Sequence, residues 1–228
     1  MLDTKDFTIH EAAREGKELT VLHLVLENPK LALLKDDDMR TPLHWACTMN
    51  NERIIDILLP YVKTDLDELV DASGWTPVHI MAALGNLDML KKFMARNPQP
   101  DINLPTNTGA TSLHLAVSKN HYTLVSELIS TYKCSVNKKD RKGYTALHRA
   151  AAIGSQPIIK MLVEVKANVN AKDRDGWTPL HHALAEGHGD VGVLLVQLGA
   201  DPKAETGAGE TPTAVANEGV RKYFENGI

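Results

Sequence analysis

The tetrapeptide "TPLH" begins at Thr41, "TPVH" at Thr76, "TSLH" at Thr111, "TALH" at Thr145 and "TPLH" again at Thr178. The steps are 35, 35, 34 and 33 residues. Counting on by 33 from Thr178 reaches Thr211 in "TPTA", and counting back by 34 from Thr41 reaches Phe7 in "FTIH". Six of the ten histidines (His10, His44, His79, His114, His148 and His181) therefore share one slot of a repeating unit. A period of this size predicts a repeat architecture, in which each unit buries its apolar face against its neighbours.

The unit is physically readable. Thr suits a helix N-cap, because its hydroxyl accepts from an orphan amide of the first turn. Pro suits the first helical position, where no donor is needed. Leu then opens the buried face, and His at the third helical position can reach back to the cap as Glu does in a capping box. Small residues follow, as in "AC", "AA" and "AV". Six residues after each histidine stand Gly16, Asn50, Gly85, Asn120, Gly154 and Gly187. Gly and Asn tolerate the left-handed conformation that ends a helix. A second apolar-periodic segment follows, such as "RIIDILL", "TLVSELI" or "PIIKMLV". A polar connection such as "KANVNAKDRDG" closes the unit. The expected fold is all-α: a solenoid of seven helix-turn-helix repeats with protruding β-turn fingers. The repeats form one domain over 1–228 and begin near residues 3, 36, 71, 106, 140, 173 and 206. Units one and seven depart from the pattern: Phe7 replaces Thr, Ala214 replaces His, and Gly219 arrives one residue early. End units have one neighbour each, so atypical caps are expected.

Composition removes several function classes. With 29 acidic and 25 basic residues the net charge is −4, which gives no sign of a nucleic-acid or membrane-surface partner. Cys47 and Cys134 are too few and too isolated for a disulfide scaffold or a zinc site, and suit a reducing compartment. The acidic N-terminal segment has no apolar core of a secretory signal, and no apolar run reaches eighteen residues. The chain is expected in cytoplasm and nucleus.

A histidine present in nearly every unit at a helix start belongs to the scaffold, since each repeat must satisfy the same orphan groups. His181, His182 and His188 look like a metal cluster, but adjacent residues of a helix face different directions. No nucleophile elbow, phosphate loop or His-Glu-x-x-His occurs. The expectation is no enzyme, no cofactor and no metal.

A protein partner remains. The slot before each Thr reads Arg40, Trp75, Ala110, Tyr144, Trp177, Glu210. Trp, Tyr and Arg are the residues of binding hot spots, yet the same aromatics could pack on a neighbouring finger. Both readings stay open for Trp75 and Trp177. The slot after each histidine reads Trp45, Ile80, Leu115, Arg149, His182. Its apolar members suit the core, whereas a buried unpaired Arg149 would be costly. The early connections carry Asp36, Asp37, Asp38, Asp65, Asp67, Glu68 and Asp71, the middle ones Lys133, Lys138, Lys139, Arg141 and Lys142. Asp71, Asp140 and Asp173 share a turn-forming slot. Such a charge layout suits a partner of opposite polarity.

The period with near-copies of Thr-x-x-His resembles ankyrin repeats. More narrowly, "RTPLHWAC", "GWTPVHI", "LHLAVSKN" and "LHRAA" are similar, in order and position, to the gankyrin family. "GWTPLHHALAEGHGD" resembles its fungal members more closely still. The resemblance covers essentially the whole chain. It implies a non-enzymatic assembly chaperone of the 19S proteasome regulatory particle, binding the C-terminal domain of one ATPase subunit through the concave face. That binding delays docking on the core particle until the base is assembled. Carried residue by residue, it implies partner contacts at Asp38, Arg40, Trp45, Asp71, Trp75, Lys119, Arg149 and Glu186. The aromatic column adds Trp177. The chain is expected to be a monomer on its own.

There are departures. The mammalian member's L-x-C-x-E segment, linked to the retinoblastoma protein, is not found, so that partner is not carried over. The connection "ARNPQPDINLPTNTG" has extra prolines and an uncharged tip. The rival reading is a generic ankyrin adaptor, such as a kinase inhibitor or ubiquitin-ligase receptor.

Overall fold

The computed structural model describes residues 8–228. Among them every regular element is helical and no strand forms. The chain divides into two compact units, 1–108 and 109–228. The first unit holds α1 (Ile9–Arg14), α2 (Glu18–Glu27), α3 (Pro42–Thr48), α4 (Glu52–Leu58), α5 (Pro77–Leu84) and α6 (Leu87–Met94). The second holds α7 (Ser112–Ser118), α8 (Tyr122–Ser130), α9 (Ala146–Ala152), α10 (Gln156–Glu164), α11 (Pro179–Ala185), α12 (Gly189–Gln197), α13 (Pro212–Val215) and α14 (Glu218–Gly227). Odd and even helices alternate as the first and second helix of successive repeats.

Most of these helices have seven to nine residues and would not hold alone in water. Burial holds them. In α3 and α4, Leu43, Ala46, Cys47, Ile54, Ile55 and Leu58 are fully buried, and α9 to α11 repeat the arrangement with Leu147, Ala150, Ile158, Ile159, Leu162 and Leu180. Each buried Leu or Ile contributes roughly 1.5–3 kcal/mol. The alanines let first helices approach closely.

The histidine slot behaves as the sequence suggests in five repeats. Thr41, Thr76, Thr111, Thr145 and Thr178 are the N-caps, and each hydroxyl lies 2.9 Å from Nδ1 of the histidine three residues on. Each Thr amide also donates to that nitrogen at 3.1–3.2 Å. The other ring nitrogen faces carbonyls in the next connection. His44 Nε2 meets Leu69 and Trp75, His79 meets Leu104, His114 meets Tyr144, His148 meets Trp177 and His181 meets Glu210, at 2.8–3.2 Å. A carbonyl only accepts, so Nε2 carries the proton and Nδ1 accepts. Both nitrogens of a neutral imidazole are thereby used. Burial pushes all five imidazoles below their ordinary pKa, His148 to about 4.

The helix-ending slot also holds. Gly16, Asn50, Gly85, Asn120, Gly154 and Gly187 all have positive φ, between 52° and 92°. At Gly154 the fit is steric as well, because a Cβ would stand 2.7 Å from the His188 ring.

The two end units differ from the sequence reading. Phe7 lies outside the described residues. Unit one is capped by Thr8 instead, and Glu11 closes the box by accepting from the Thr8 amide at 2.9 Å. His10 keeps only half of its expected role: its Nε2 reaches the Leu34 carbonyl at 2.8 Å, but it caps nothing. In unit seven Ala214 has no ring with which to close the Thr211 cap, and α13 stops after four residues. Gly219 is not the turn residue; it lies inside α14, whose N-cap Asn217 accepts from the Val220 amide.

Each finger is a tight turn closed across its base. Asp36, Asp71, Asp140, Asp173 and Thr206 each donate their amide to the carbonyl four residues on, at 2.9–3.0 Å. Successive fingers are tied by a single backbone bond, such as Ala72 to Asp38 and Asn107 to Ser73 in the first unit, or Arg174 to Lys142 and Gly207 to Asp175 in the second. They run so close that a Cβ at Gly143 would lie 2.8 Å from the Arg174 nitrogen.

Candidate functional site

The finger aspartates do two things at once. One oxygen of Asp71, Asp140 and Asp173 accepts from amides of its own turn: Ser73 and Trp75, Lys142 and Tyr144, Asp175 and Trp177. The second oxygen is turned to the first helix, where the slot after the histidine lies nine residues on. Trp45 donates its indole N–H to Asp36 at 2.7 Å, Arg149 donates Nη2 to Asp140 at 2.6 Å, and His182 Nε2 lies 3.0 Å from Asp173. Where the slot is apolar the finger residue changes. Thr106 precedes Leu115 by nine residues, and Thr206 precedes Val215 by nine. A threonine has no second oxygen to satisfy. Asp71 is the exception, because its slot partner is Ile80. There Arg40, from the preceding finger, supplies Nε at 3.3 Å.

This pairing decides which charges a partner could meet. In the first unit Arg40, Asp71 and Trp75 line a cavity of about 240 Å³ with Thr48, Ser73, Ile80, Ala83 and Leu84. The Arg40 guanidinium lies 4.9 Å from the Trp45 ring centre and Arg14 lies 5.6 Å from it. Burial works against the Asp36 carboxylate, but the Trp45 indole and the Arg40 and Asp38 amides hold its pKa below the usual range. The Asp71 carboxylate is only 4% exposed, so its influence passes through Arg40. Asp38 is exposed at its finger tip, and its carbonyl accepts from Ala72. In the second unit Lys119 and Glu186 are exposed residues that end α7 and α11. Arg149 is turned inward, onto Asp140 and the Ser118 hydroxyl, with 30% of its side chain exposed. Trp177 is half-buried against His181 and His182.

The structure thus brings Arg40, Trp45, Asp71 and Trp75 together. It leaves Lys119 and Glu186 as separate exposed charges and makes Arg149 an internal partner of Asp140. Sequence reasoning missed His182 and the second role of Asp36, Asp140 and Asp173. The nine-residue spacing, present with Asp and broken with Thr, was the signal that could have found them. Among the described residues no group of three His, Cys, Asp or Glu side chains is placed to hold a metal. His181, His182 and His188 are each engaged elsewhere: on Thr178 and Glu210, on Asp173, and on the Ala152 carbonyl. Among the described residues no helix is long and apolar enough to cross a membrane.

Comparison with known proteins agrees with this architecture. A family model described as ankyrin repeats matches residues 9–106, 62–140 and 113–206. The chain is 42% identical over 158 residues to the probable 26S proteasome regulatory subunit p28 of Saccharomyces cerevisiae, covering 69% of each protein. It is 39% identical over 111 residues to an ankyrin repeat-containing protein of Schizosaccharomyces pombe, covering 47% of this chain and 46% of that one. The crystal structure of the ankyrin repeat domain of Bcl-3 superposes with a TM-score of 0.74 at 24% identity, over 97% of this chain and 99% of that one, which speaks to the fold alone. A helix pair capped by threonine and histidine in five successive repeats, and 42% identity to the yeast subunit, make the chain an ankyrin-repeat protein of the gankyrin type.

Proposed function

We propose that this chain is a non-enzymatic assembly chaperone of the proteasome regulatory particle. It binds the C-terminal domain of an ATPase subunit through the face built from finger bases and first helices, in cytoplasm and nucleus. The 42% identity to the yeast proteasome subunit supports the proteasome as the setting. Protein binding is supported by chemistry: the polar groups of this face are taken up by caps and finger pairs, as the scaffold requires. What is left exposed is a set of charges of both signs, including Asp38, Lys119 and Glu186. That surface steers and selects a complementary protein rather than transforming a small molecule. The Arg40–Asp71–Trp75 cavity supplies the apolar anchor point of the first unit.

Affinity capture of the chain from a cell extract, with mass spectrometry of what is retained, tests the reading. Base ATPase subunits without the 20S core particle are expected. Capture of intact 26S particles, or of a kinase or ligase scaffold without ATPases, would overturn it. Binding of a purified ATPase C-terminal domain, measured by calorimetry, then tests the direct contact.

A further inference from the structure

The second helix of the first repeat, α2, is apolar on more than its packed side. Thr20, Val21 and Val25 are buried against the fold. Leu19, Leu22 and Leu26 are 65%, 36% and 63% exposed. Spaced at i, i+3 and i+7, they form one stripe along the helix. A helix with two apolar faces ordinarily has cover on both. Among the described residues nothing covers this one.

Other repeats keep the same face polar. Three residues after the helix-ending Gly or Asn stand Arg53, Asp88, Thr123, Pro157 and Asp190, all exposed like Leu19. The slots of Leu22 and Leu26 read likewise. In repeats two to six, Val193 is the only Val, Leu, Ile, Met or aromatic residue in any of the three slots. The repeat itself therefore asks for no leucine here. A terminal repeat ordinarily turns polar residues outward, which keeps a solenoid soluble. Three neighbouring exposed leucines mark an interaction surface instead.

The two ends of the stripe carry opposite signs. At the N-terminal end stands Arg53 of α4, its side chain 81% exposed and 3.5 Å from Glu18. At the C-terminal end stands Glu27, 3.5 Å from the imidazole of exposed His23, with Lys30 beyond the turn at Asn28. The helix macrodipole adds the same signs, positive at Glu18 and negative at Glu27. A second α2 laid antiparallel on the first sets Arg53 against Glu27 at both ends. Laid parallel, it sets like charges together. The stripe also reads the same in both directions, since Leu19 and Leu26 lie equally far from its middle at Leu22 and His23.

We propose that the leucine stripe of α2 is a self-association surface, on which two copies of this chain pair their α2 helices antiparallel about a two-fold axis between Leu22 and His23. Leu19 of each copy covers Leu26 of the other, and Leu22 packs beside the axis. Such a contact is isologous, so it closes at the dimer and does not propagate into a filament. A ten-residue helix is about 15 Å long. Two of them bury less than the roughly 1,200 Å² at which standard interfaces begin, so the dimer is weak and forms at high concentration. The monomer expected from the sequence is then the dilute state. Finger bases and first helices take no part, and self-association does not rest on the ATPase reading.

Sedimentation velocity of the whole chain from about 10 µM to about 1 mM, the range that suits an interface of this size, tests the pairing. Wild type is expected to pass from monomer to dimer and no further. Leu22→Asp and Leu26→Asp, at exposed positions, are expected to weaken the dimer about tenfold or more, with unfolding midpoints measured to show that the fold is kept. Asp88→Asn, in the slot of Leu19 in another repeat, is expected to leave it unchanged. Arg53→Glu or Glu27→Arg alone is expected to weaken it about threefold, and the two together to restore it. Cross-linking reads the orientation. Cys47 and Cys134 are buried, so cysteines placed on the stripe are the reactive ones. A mixture of Leu19→Cys and Leu26→Cys is expected to yield a disulfide dimer, and either variant alone none. A chain that stays monomeric up to about 1 mM, a dimer indifferent to both aspartate variants, or Leu19→Cys cross-linking to itself overturns the two-fold pairing. If wild type stays monomeric and the aspartate variants lose a protein captured from extract, a helix of another protein covers the stripe and self-association falls.

Discussion

Arg149 places Nη2 2.6 Å from Oδ2 of Asp140, nine residues earlier in the chain. The carboxylate is 4% exposed, so removing the guanidinium leaves a buried charge without its cation. Arg149→Leu is expected to cost about 2–4 kcal/mol for that reason. Asp140→Thr with Arg149→Leu recreates the threonine and leucine that the sequence carries at the same two slots, Thr106 and Leu115, and is expected to recover most of the loss. Urea unfolding of the two single variants and the double variant gives the coupling. Additive losses would show that the nine-residue pairing has no energetic content.

The capping histidines make a sharper contrast. His114→Ala strips the acceptor from the buried Thr111 amide and the donor from the Tyr144 carbonyl, and is expected to cost about 2–3 kcal/mol. His10→Ala is expected to cost well under 1 kcal/mol, since Thr8 and Glu11 cap that helix between them and His10 is half-exposed. Equal losses would place His10 back among the scaffold histidines.

Acid should weaken the fold before it protonates most carboxylates. His44, His79, His114, His148 and His181 have pKa values lowered by burial, so the unfolded chain binds more protons than the folded one below the ordinary histidine pKa. Their contribution is complete above the unfolded pKa, near 6.5, and is lost as pH falls from there towards about 4, the value for His148. His148 alone accounts for on the order of 3 kcal/mol across that window. Unfolding free energies measured at pH 7, 6, 5 and 4 should fall steadily. A flat profile to pH 5 would show that burial does not hold these imidazoles neutral in the folded chain.

Arg40 requires a gentler substitution than charge reversal. A glutamate there would face the buried Asp71 carboxylate and damage the finger itself. Arg40→Gln keeps a donor for Asp71 and removes only the charge. It is expected to leave stability within about 1 kcal/mol while weakening the ATPase-domain complex by about 2 kcal/mol if the guanidinium is desolvated there. Glu186→Lys, at an exposed helix end, is expected to weaken the same complex without changing stability. Calorimetric titration of both variants at low and high salt separates desolvated pairs from rim pairs.

The repeat itself was fully legible. Thr, Pro, His and the Gly or Asn stop each carry a local requirement that one repeat can satisfy by itself. The finger pairing was not legible by the same reading, because it links two slots that each look variable. Arg149 and His182 read as anomalies in a core column until their aspartates are set beside them. The end units failed for another reason. A one-residue change of register let Thr8 and Glu11 replace the expected cap, and Asn217 rather than Gly219 opened the last helix. The repeat's local signals fix neither shift, because a short helix can lose one residue and still find a capping side chain. Among the expected contact residues, exposure separated Asp38, Lys119 and Glu186 from Asp71 and Arg149, and exposure is a property of packing.

The Nε2 bonds give the chain a direction in time. His44 waits for a carbonyl 31 residues downstream, His114 for one 30 downstream, and His148 and His181 for ones 29 downstream. At a synthesis speed of about 5–20 residues per second, a newly emerged helix start stays unfinished for a few seconds. Maturation then follows the order of translation, and any pause between repeats leaves one imidazole N–H bonded to water at the growing tip.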